Sequence, residues 1–238
     1  MKLRRPAVIS SVILLSAFLF LFSHALRQKS FPVISPVTSF TVILDPGHGG
    51  EDGGASAPDG THEKDLNLQI SQAVISYFDW FGIRYQTTRN DDSLIGDNTL
   101  PTIRERKISD IRRRMQIVND TPGSVLLSIH QNFFTSEKYS GTQVFYAPNA
   151  AGSASLADWL QHAVANALQP DNHRKIKPTE GTVFLLDRAE KTSVMVECGF
   201  LSNRTETEKL KDERYQSQIG YFIVRGVCDY FNNMNSGA

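Results

Sequence analysis

Three short apolar runs in this chain each lead into a side chain able to bind a metal or carry a proton. Val42-Ile43-Leu44 runs into Asp45-Pro46-Gly47-His48-Gly49-Gly50, Val125 to Ile129 into His130, and Val194 to Val196 into Glu197. A fourth residue, Glu63, opens a segment with Leu66, Asn67 and Ile70 at helical spacing, which turns it toward the inward face. The helix start there also favours a carboxylate. Two imidazoles and one carboxylate, His48, His130 and Glu63, form the ligand set of a catalytic zinc site with one coordination position left for water. Zinc so held lowers the pKa of bound water from about 15.7 to roughly 7 and polarises a carbonyl, which suits amide hydrolysis. Glu197, at the end of an apolar strand, has surroundings that raise a carboxyl pKa toward proton delivery to a leaving amine.

Each signal has a plainer reading when taken alone. His48-Gly49-Gly50 fits a tight turn, a first-turn glutamate is commonly structural, and a histidine on an apolar strand is usually a satisfied core residue. The glycines near His48 lack both G-x-G-x-x-G and the Gly-Lys-Ser/Thr ending of a phosphate loop. No H-E-x-x-H helix occurs. Asp45, Asp52 and Asn132 are candidates to accept the second N–H of a metal-bound histidine, and Asp45 equally fits a turn-initiating aspartate before proline. Arg89, at another strand end, could hold a substrate carboxylate. His62, His162 and His173 are expected on the surface, the first beside Glu63 in the turn and the last in a Pro-Asp-Asn loop.

The elements that must position these groups follow from periodicity. Strands are expected at Phe40 to Leu44, Ile83 to Thr88, Val125 to Ile129, Thr142 to Ala147 and Val194 to Val196. Helices are expected from Glu63 to Phe81 with Gly82 as terminator, from Ile103 to Asn119, and from Leu156 to Leu168 with Trp159, Leu160, Ala163, Val164 and Ala167 inward. A short helix capped by Asn203 with Glu206, and a last one from about Arg214 to Phe231, complete the pattern. Alternation of this kind predicts a single three-layer α/β domain over residues 40–233, its largely parallel sheet covered by helices on both faces. In such sheets the site lies beyond the carboxyl ends of the strands, where His48, His130 and Glu197 fall.

The 238 residues carry equal numbers of acidic and basic side chains, so no overall field points to nucleic acid. Lys2, Arg4 and Arg5 precede an apolar run from Ala7 to Phe22, which reads as an export segment over residues 1–25. Small residues Ser23 and Ala25 suit a signal-peptidase cut, and the run also approaches the length of an uncleaved membrane anchor. Residues 26–39, with Pro32 and Pro36, read as a tether, and the remainder is expected outside the cytoplasm. Cys198 and Cys228 lack the close partners of a thiolate zinc site and are expected as buried free thiols rather than a disulfide. Arg104, Arg106, Lys107, Arg112, Arg113 and Arg114 make one helix basic, but Glu105 and Asp110 interleave, so a solvated face is expected.

The segments Val42 to Ala55, Glu63-Lys64-Asp65-Leu66-Asn67-Leu68, Thr88-Arg89, Ser128-Ile129-His130-x-Asn132 and Val196-Glu197-x-Gly199-Phe200-Leu201-Ser202-Asn203, in that order, resemble family 3 of the N-acetylmuramoyl-L-alanine amidases. The resemblance implies that His48, Glu63 and His130 bind zinc and that Glu197 is the catalytic glutamate. It implies hydrolysis of the amide between the lactyl group of muramic acid and L-alanine, with peptidoglycan glycan strands and their stem peptides as partner. A short export segment without appended wall-binding repeats, together with the basic stretch, is most similar to the sporulation and germination members that strip stems before muramic-δ-lactam forms in spore cortex. Gln131 departs from the smaller residue that many members place after the second histidine. The competing readings are a silent glycan-binding module of the same fold, which loss of a ligand or of Glu197 would have favoured, and a membrane-tethered interaction protein using the basic helix. Stem preference and any need for a protein activator are left open by the resemblance.

Overall fold

The computed structural model describes residues 40–236. The export segment and tether expected over residues 1–39 lie outside the described residues, among which no helix is long and apolar enough to cross a membrane. The elements are β1 (Thr41–Pro46), α1 (Glu63–Phe81), β2 (Tyr85–Thr87), α2 (Ile103–Asp120), β3 (Ser124–Asn132), β4 (Gln143–Tyr146), α3 (Ser153–Leu168), β5 (Lys177–Pro178), α4 (Phe184–Asp187), β6 (Ser193–Phe200), α5 (Arg204–Lys211) and α6 (Glu213–Ser236). They form one six-stranded sheet in the order β2-β1-β3-β6-β4-β5 with helices packed around it.

The four strands β2, β1, β3 and β6 are mutually parallel, and β4 runs antiparallel to β6. The reversal has a local cause. Residues 133–142 are all that join β3 to β4, fewer than the dozen or more that a parallel crossover needs. Strand β4 therefore returns, and β6 later fills the gap beside β3. Residues within the parallel strands alternate between two covered faces. Ile43, Leu126 and Met195 pack with Val118, Leu185 and Leu186 under α2 and α4, and Asp45, Ser128, His130 and Glu197 continue the same face toward the carboxyl edge.

Several elements differ from their sequence-based outlines. β3 and β6 continue through His130 and Glu197 to Asn132 and Phe200, so these residues stand within strands rather than after them. The buried face of α3 is Leu156, Ala157, Leu160, Gln161, Val164 and Ala165, with Ser153, whereas Trp159 and Ala163 are half-buried and Ala167 is exposed. Gln161 fixes that rotation: its amide accepts from Val144 N–H at 2.9 Å and donates to Thr142 C=O at 3.0 Å, so a polar residue faces the sheet fully satisfied. Asn203 caps α5 by accepting from Glu206 N–H, but Glu206 does not reciprocate. Its carboxylate instead receives Gly141 N–H and Phe200 N–H, each at 2.9 Å. A reciprocal capping box does occur at α2, between Thr102 and Glu105. Both cysteines are free and buried.

Candidate metal centre and active site

The carboxyl edge of the parallel strands brings His48, Glu63 and His130 together, with one donor atom from each lying within 4.8 Å of the others. His130 stands on β3 beside Glu197 on β6, the two being paired in register. The turn after β1 carries His48 in the left-handed region (φ 62), flanked by glycines. That conformation is costly for a residue with a side chain and is held here by three supports. Arg114 donates to the His48 carbonyl at 2.7 Å, Gly49 and Asp52 exchange backbone hydrogen bonds at 3.0 and 2.9 Å, and Asp52 Oδ2 lies 2.8 Å from His48 Nδ1. With Nδ1 engaged by Asp52, Nε2 is the nitrogen turned inward, 3.3 Å from Glu63 Oε2.

Glu63 is fixed at both oxygens. Oε2 accepts Ala55 N–H at 2.8 Å, and Oε1 accepts Gln131 N–H at 3.1 Å while facing His130 Nδ1 at 2.8 Å. It begins α1, where the unsatisfied amides of the first turn favour negative charge. Burial alone would raise its pKa, but the two histidines outweigh burial and hold Glu63 well below the usual carboxylate range. Burial likewise depresses His48, and its hydrogen bonds to Asp52 and Glu63 reverse the sign and raise it to about 9.

Glu197 behaves in the opposite sense. Its residue is partly exposed, yet Oε2 is buried with no hydrogen-bond partner among the described residues. Burial, reinforced by the negative charge of Glu63, raises its pKa to about 8. Two carboxyl groups at one edge are therefore shifted in opposite directions, Glu63 downward and Glu197 upward.

The donor set fits a divalent cation such as zinc: two nitrogens and one oxygen converge, and small residues leave the space clear. A Cβ on Gly47 would run into the His130 ring, and one on Gly54 would come within 2.5 Å of Glu63 Oε2. A cavity of about 190 Å³ opens over His48 and His130 and is walled by Lys107 from α2 and by Val183 and Phe184 at α4.

The other anticipated residues fall as follows. Asp52 accepts from His48 and pairs with Lys107 Nζ at 2.8 Å, so it orients the imidazole. Asp45 does not reach a histidine. It is buried and accepts from Thr88 Oγ1, Ser128 Oγ and Arg114, at 2.7, 2.7 and 2.6 Å. Asn132 contributes its carbonyl, which accepts Leu201 N–H at 2.8 Å beside a register shift in β3. Arg89, the residue weighed for a substrate carboxylate, is buried and directs its guanidinium at four backbone carbonyls, those of Pro46, Gly47, Lys64 and Asp91. It ties the His48 turn to α1 and does not face the cavity. Gln131 turns away from the centre and donates to Asn67 Oδ1 at 3.2 Å. His62, His162 and His173 are exposed.

Arg114 and Asn67 escaped sequence reasoning. Arg114 is fully buried between Asp45 and Asp110 and also donates to the Pro46 carbonyl at 2.8 Å. Asn67 donates to the Gly47 carbonyl at 3.1 Å. A signal for Arg114 existed: it shares a helix face with Ile111, Met115 and Val118 and lies four residues after Asp110.

Comparison with known proteins identifies the family. Residues 42–229 match the N-acetylmuramoyl-L-alanine amidase family. The germination-specific N-acetylmuramoyl-L-alanine amidase of Bacillus subtilis is 32% identical over 220 residues, spanning 92% of this chain and 91% of that protein. The amidase AmiA of Escherichia coli is 27% identical over 233 residues, 80% of this chain and 76% of that one. Among solved structures, the CwlD amidase from Clostridioides difficile in complex with the GerS lipoprotein superposes with a TM-score of 0.78 at 35% identity, covering 81% of this chain and 98% of that one. With a family match running from β1 into α6, and relatives similar over most of their own length, the chain belongs to the N-acetylmuramoyl-L-alanine amidases, enzymes that hydrolyse an amide.

Proposed function

We propose that this protein is a zinc-dependent amidase that acts outside the cytoplasm on peptidoglycan, cutting between the lactyl group of muramic acid and L-alanine, and that it serves spore cortex maturation, where stem removal precedes muramic-δ-lactam formation. One observation carries the chemistry: His48, Glu63 and His130 converge beside a glutamate whose carboxyl is buried and raised toward neutrality. The likeness to a germination-specific amidase supports the cortex role. The N-terminal segment directs the chain outside, whether it is then cleaved or kept as an anchor. The CwlD relative solved with the GerS lipoprotein supports a protein partner here as well.

His48, Glu63 and His130 hold the zinc, which when bound supplies Lewis acidity at the scissile carbonyl and acidifies the attacking water. Asp52 keeps the His48 proton on Nδ1 so that Nε2 can ligate, and Ala55 and Gln131 fix the Glu63 carboxylate in place. Glu197 takes a proton from water and returns it to the leaving amine nitrogen, work suited to a carboxyl near the ambient pH. Arg114 and Arg89 hold the backbone of the His48 turn.

The full chain incubated with muropeptides should release stem peptide with a new L-alanine amino terminus, and a chelator should stop the release. His48→Ala or His130→Ala should abolish both zinc retention and turnover. Full zinc occupancy in His130→Ala would exclude this ligand set, while binding of muropeptides without cleavage would favour a silent module.

A further inference from the structure

Two carboxamides are buried beside the ligand-bearing edge: Asn67 on α1 is 0% exposed and Gln131 on β3 is 3% exposed. Neither lines the cavity over the histidines. Burying an amide costs free energy unless its polar atoms are paired, so the partners of these two show what they hold. Asn67 Oδ1 accepts from Gln131 Nε2 at 3.2 Å. Asn67 Nδ2 donates to the Gly47 carbonyl at 3.1 Å and, at the longer distance of 3.4 Å, to Glu63 Oε1. Gln131 sets this orientation. Turned over, the Asn67 carboxamide would place its own oxygen against the Gly47 carbonyl and the Glu63 carboxylate and lose all three bonds.

Each contact bears on a different ligand. The Gly47 carbonyl belongs to the peptide that leads into His48, so holding it fixes the plane from which the His48 φ of 62 departs. Arg89 Nη2 holds the same oxygen at 3.0 Å. Glu63 Oε1 is the oxygen that faces His130 Nδ1. Gln131 adjoins His130 in β3 and gives its own N–H to that oxygen at 3.1 Å. Two side chains that are not ligands therefore touch the segments of all three. A strained backbone persists only where its surroundings over-determine it, and residues that orient ligands set metal affinity.

Resting on the zinc reading, we propose that Asn67 and Gln131 act as one positioning unit, a carboxamide bracket that holds His48, Glu63 and His130 in place for the metal. Asn67 makes the contacts, and Gln131 fixes which way its amide faces. Being uncharged, the pair orients Glu63 without neutralising it, which leaves the carboxylate's charge for the cation.

Zinc dissociation constants of the full chain, measured by competition with a chromophoric chelator, test the bracket without requiring turnover. Asn67→Leu removes both donated bonds at similar volume and should weaken zinc binding by roughly 10–100-fold, the range for residues that orient metal ligands. Gln131→Met keeps the side-chain length, removes the orienting donor, and should weaken zinc about tenfold. Because the two act through one amide, the double variant should bind no more weakly than Asn67→Leu alone. Ser71→Ala controls for disturbance of the core. Ser71 lies one turn beyond Asn67 on the buried face of α1, and its Oγ has no partner among the described residues, so its removal should leave zinc binding unchanged. Wild-type affinity in either single variant would overturn the bracket. So would a double variant weakened by the product of the two factors, or equal weakening by Ser71→Ala. Failure of the wild-type chain to bind zinc would instead overturn the zinc reading itself, and the bracket with it.

Discussion

Glu63 and Glu197 are chemically identical side chains at one sheet edge, and their surroundings shift them in opposite directions. Glu63 receives two backbone N–H groups and faces two imidazoles, whereas Glu197 Oε2 receives no hydrogen bond among the described residues. Glu197→Gln should therefore keep the fold and the metal, because the amide is nearly isosteric and the three ligands are untouched. Its turnover should fall by roughly 10²–10⁴, the usual cost of losing a general acid–base. Glu63→Gln should instead lose metal, since a charged ligand becomes neutral. Metal analysis and turnover measured across a zinc titration separate the two: excess zinc should partly rescue Glu63→Gln and leave Glu197→Gln inactive. Restoration of Glu197→Gln by zinc would make that residue a ligand.

The elements hold these residues through a buried ionic cluster in which α2 grips β1. Asp45, Arg114 and Asp110 are all buried, and their hydrogen bonds extend to Thr88 and Ser128. Removing one partner of such a pair strands a buried charge and costs about 3–5 kcal/mol. Arg114→Met should lower the unfolding midpoint accordingly, and adding Asp45→Asn to it should recover part of the loss. Burial by itself would raise the Asp45 pKa, but Arg114 and the two hydroxyls outweigh it and hold the group at about 2, below its ordinary 3.8. A depressed carboxylate contributes its stability above the ordinary value and loses it as pH falls through the folded one, so about 2 kcal/mol should disappear between pH 4 and 2. Urea unfolding at these pH values, compared with Asp45→Asn, checks the slope. The main strands were legible from their apolar runs, and the convergence of His48, His130 and Glu197 from the ionisable residues that close those runs. The cluster was not. A basic helix with interleaved acids reads as a solvated face, and Arg114 is internal because two aspartates and two carbonyls meet its guanidinium, partners the linear sequence does not bring near. Asp45, Asp52 and Asn132 were all candidates to back a histidine, and in space Asp52 is the one of the three whose side chain meets His48.

At the scale of the molecule, the N-terminal residues carry the prediction about location. A reporter fused after Ser39 should be active only outside the cytoplasm, because Lys2, Arg4 and Arg5 precede the apolar run. Activity of that fusion inside the cell would overturn the assignment. Free, buried Cys198 and Cys228 lead to a further expectation: thermal unfolding of the domain should be indifferent to reductant. The lateral match of His130 with Glu197 also sets how far the chain tolerates length change. The register between β3 and β6 is unbroken from Leu126 to His130 and shifts only afterwards. Insertions in residues 133–142 fall beyond that match, where added loop length is inexpensive. A single residue inserted between Leu126 and His130 would exchange the sheet faces of everything after it, turning the imidazole away from Glu197. Such a protein could keep its helical and strand content by circular dichroism and still be unable to retain zinc. The chain should thus be permissive to indels in its loops and intolerant of them by a single codon in β3.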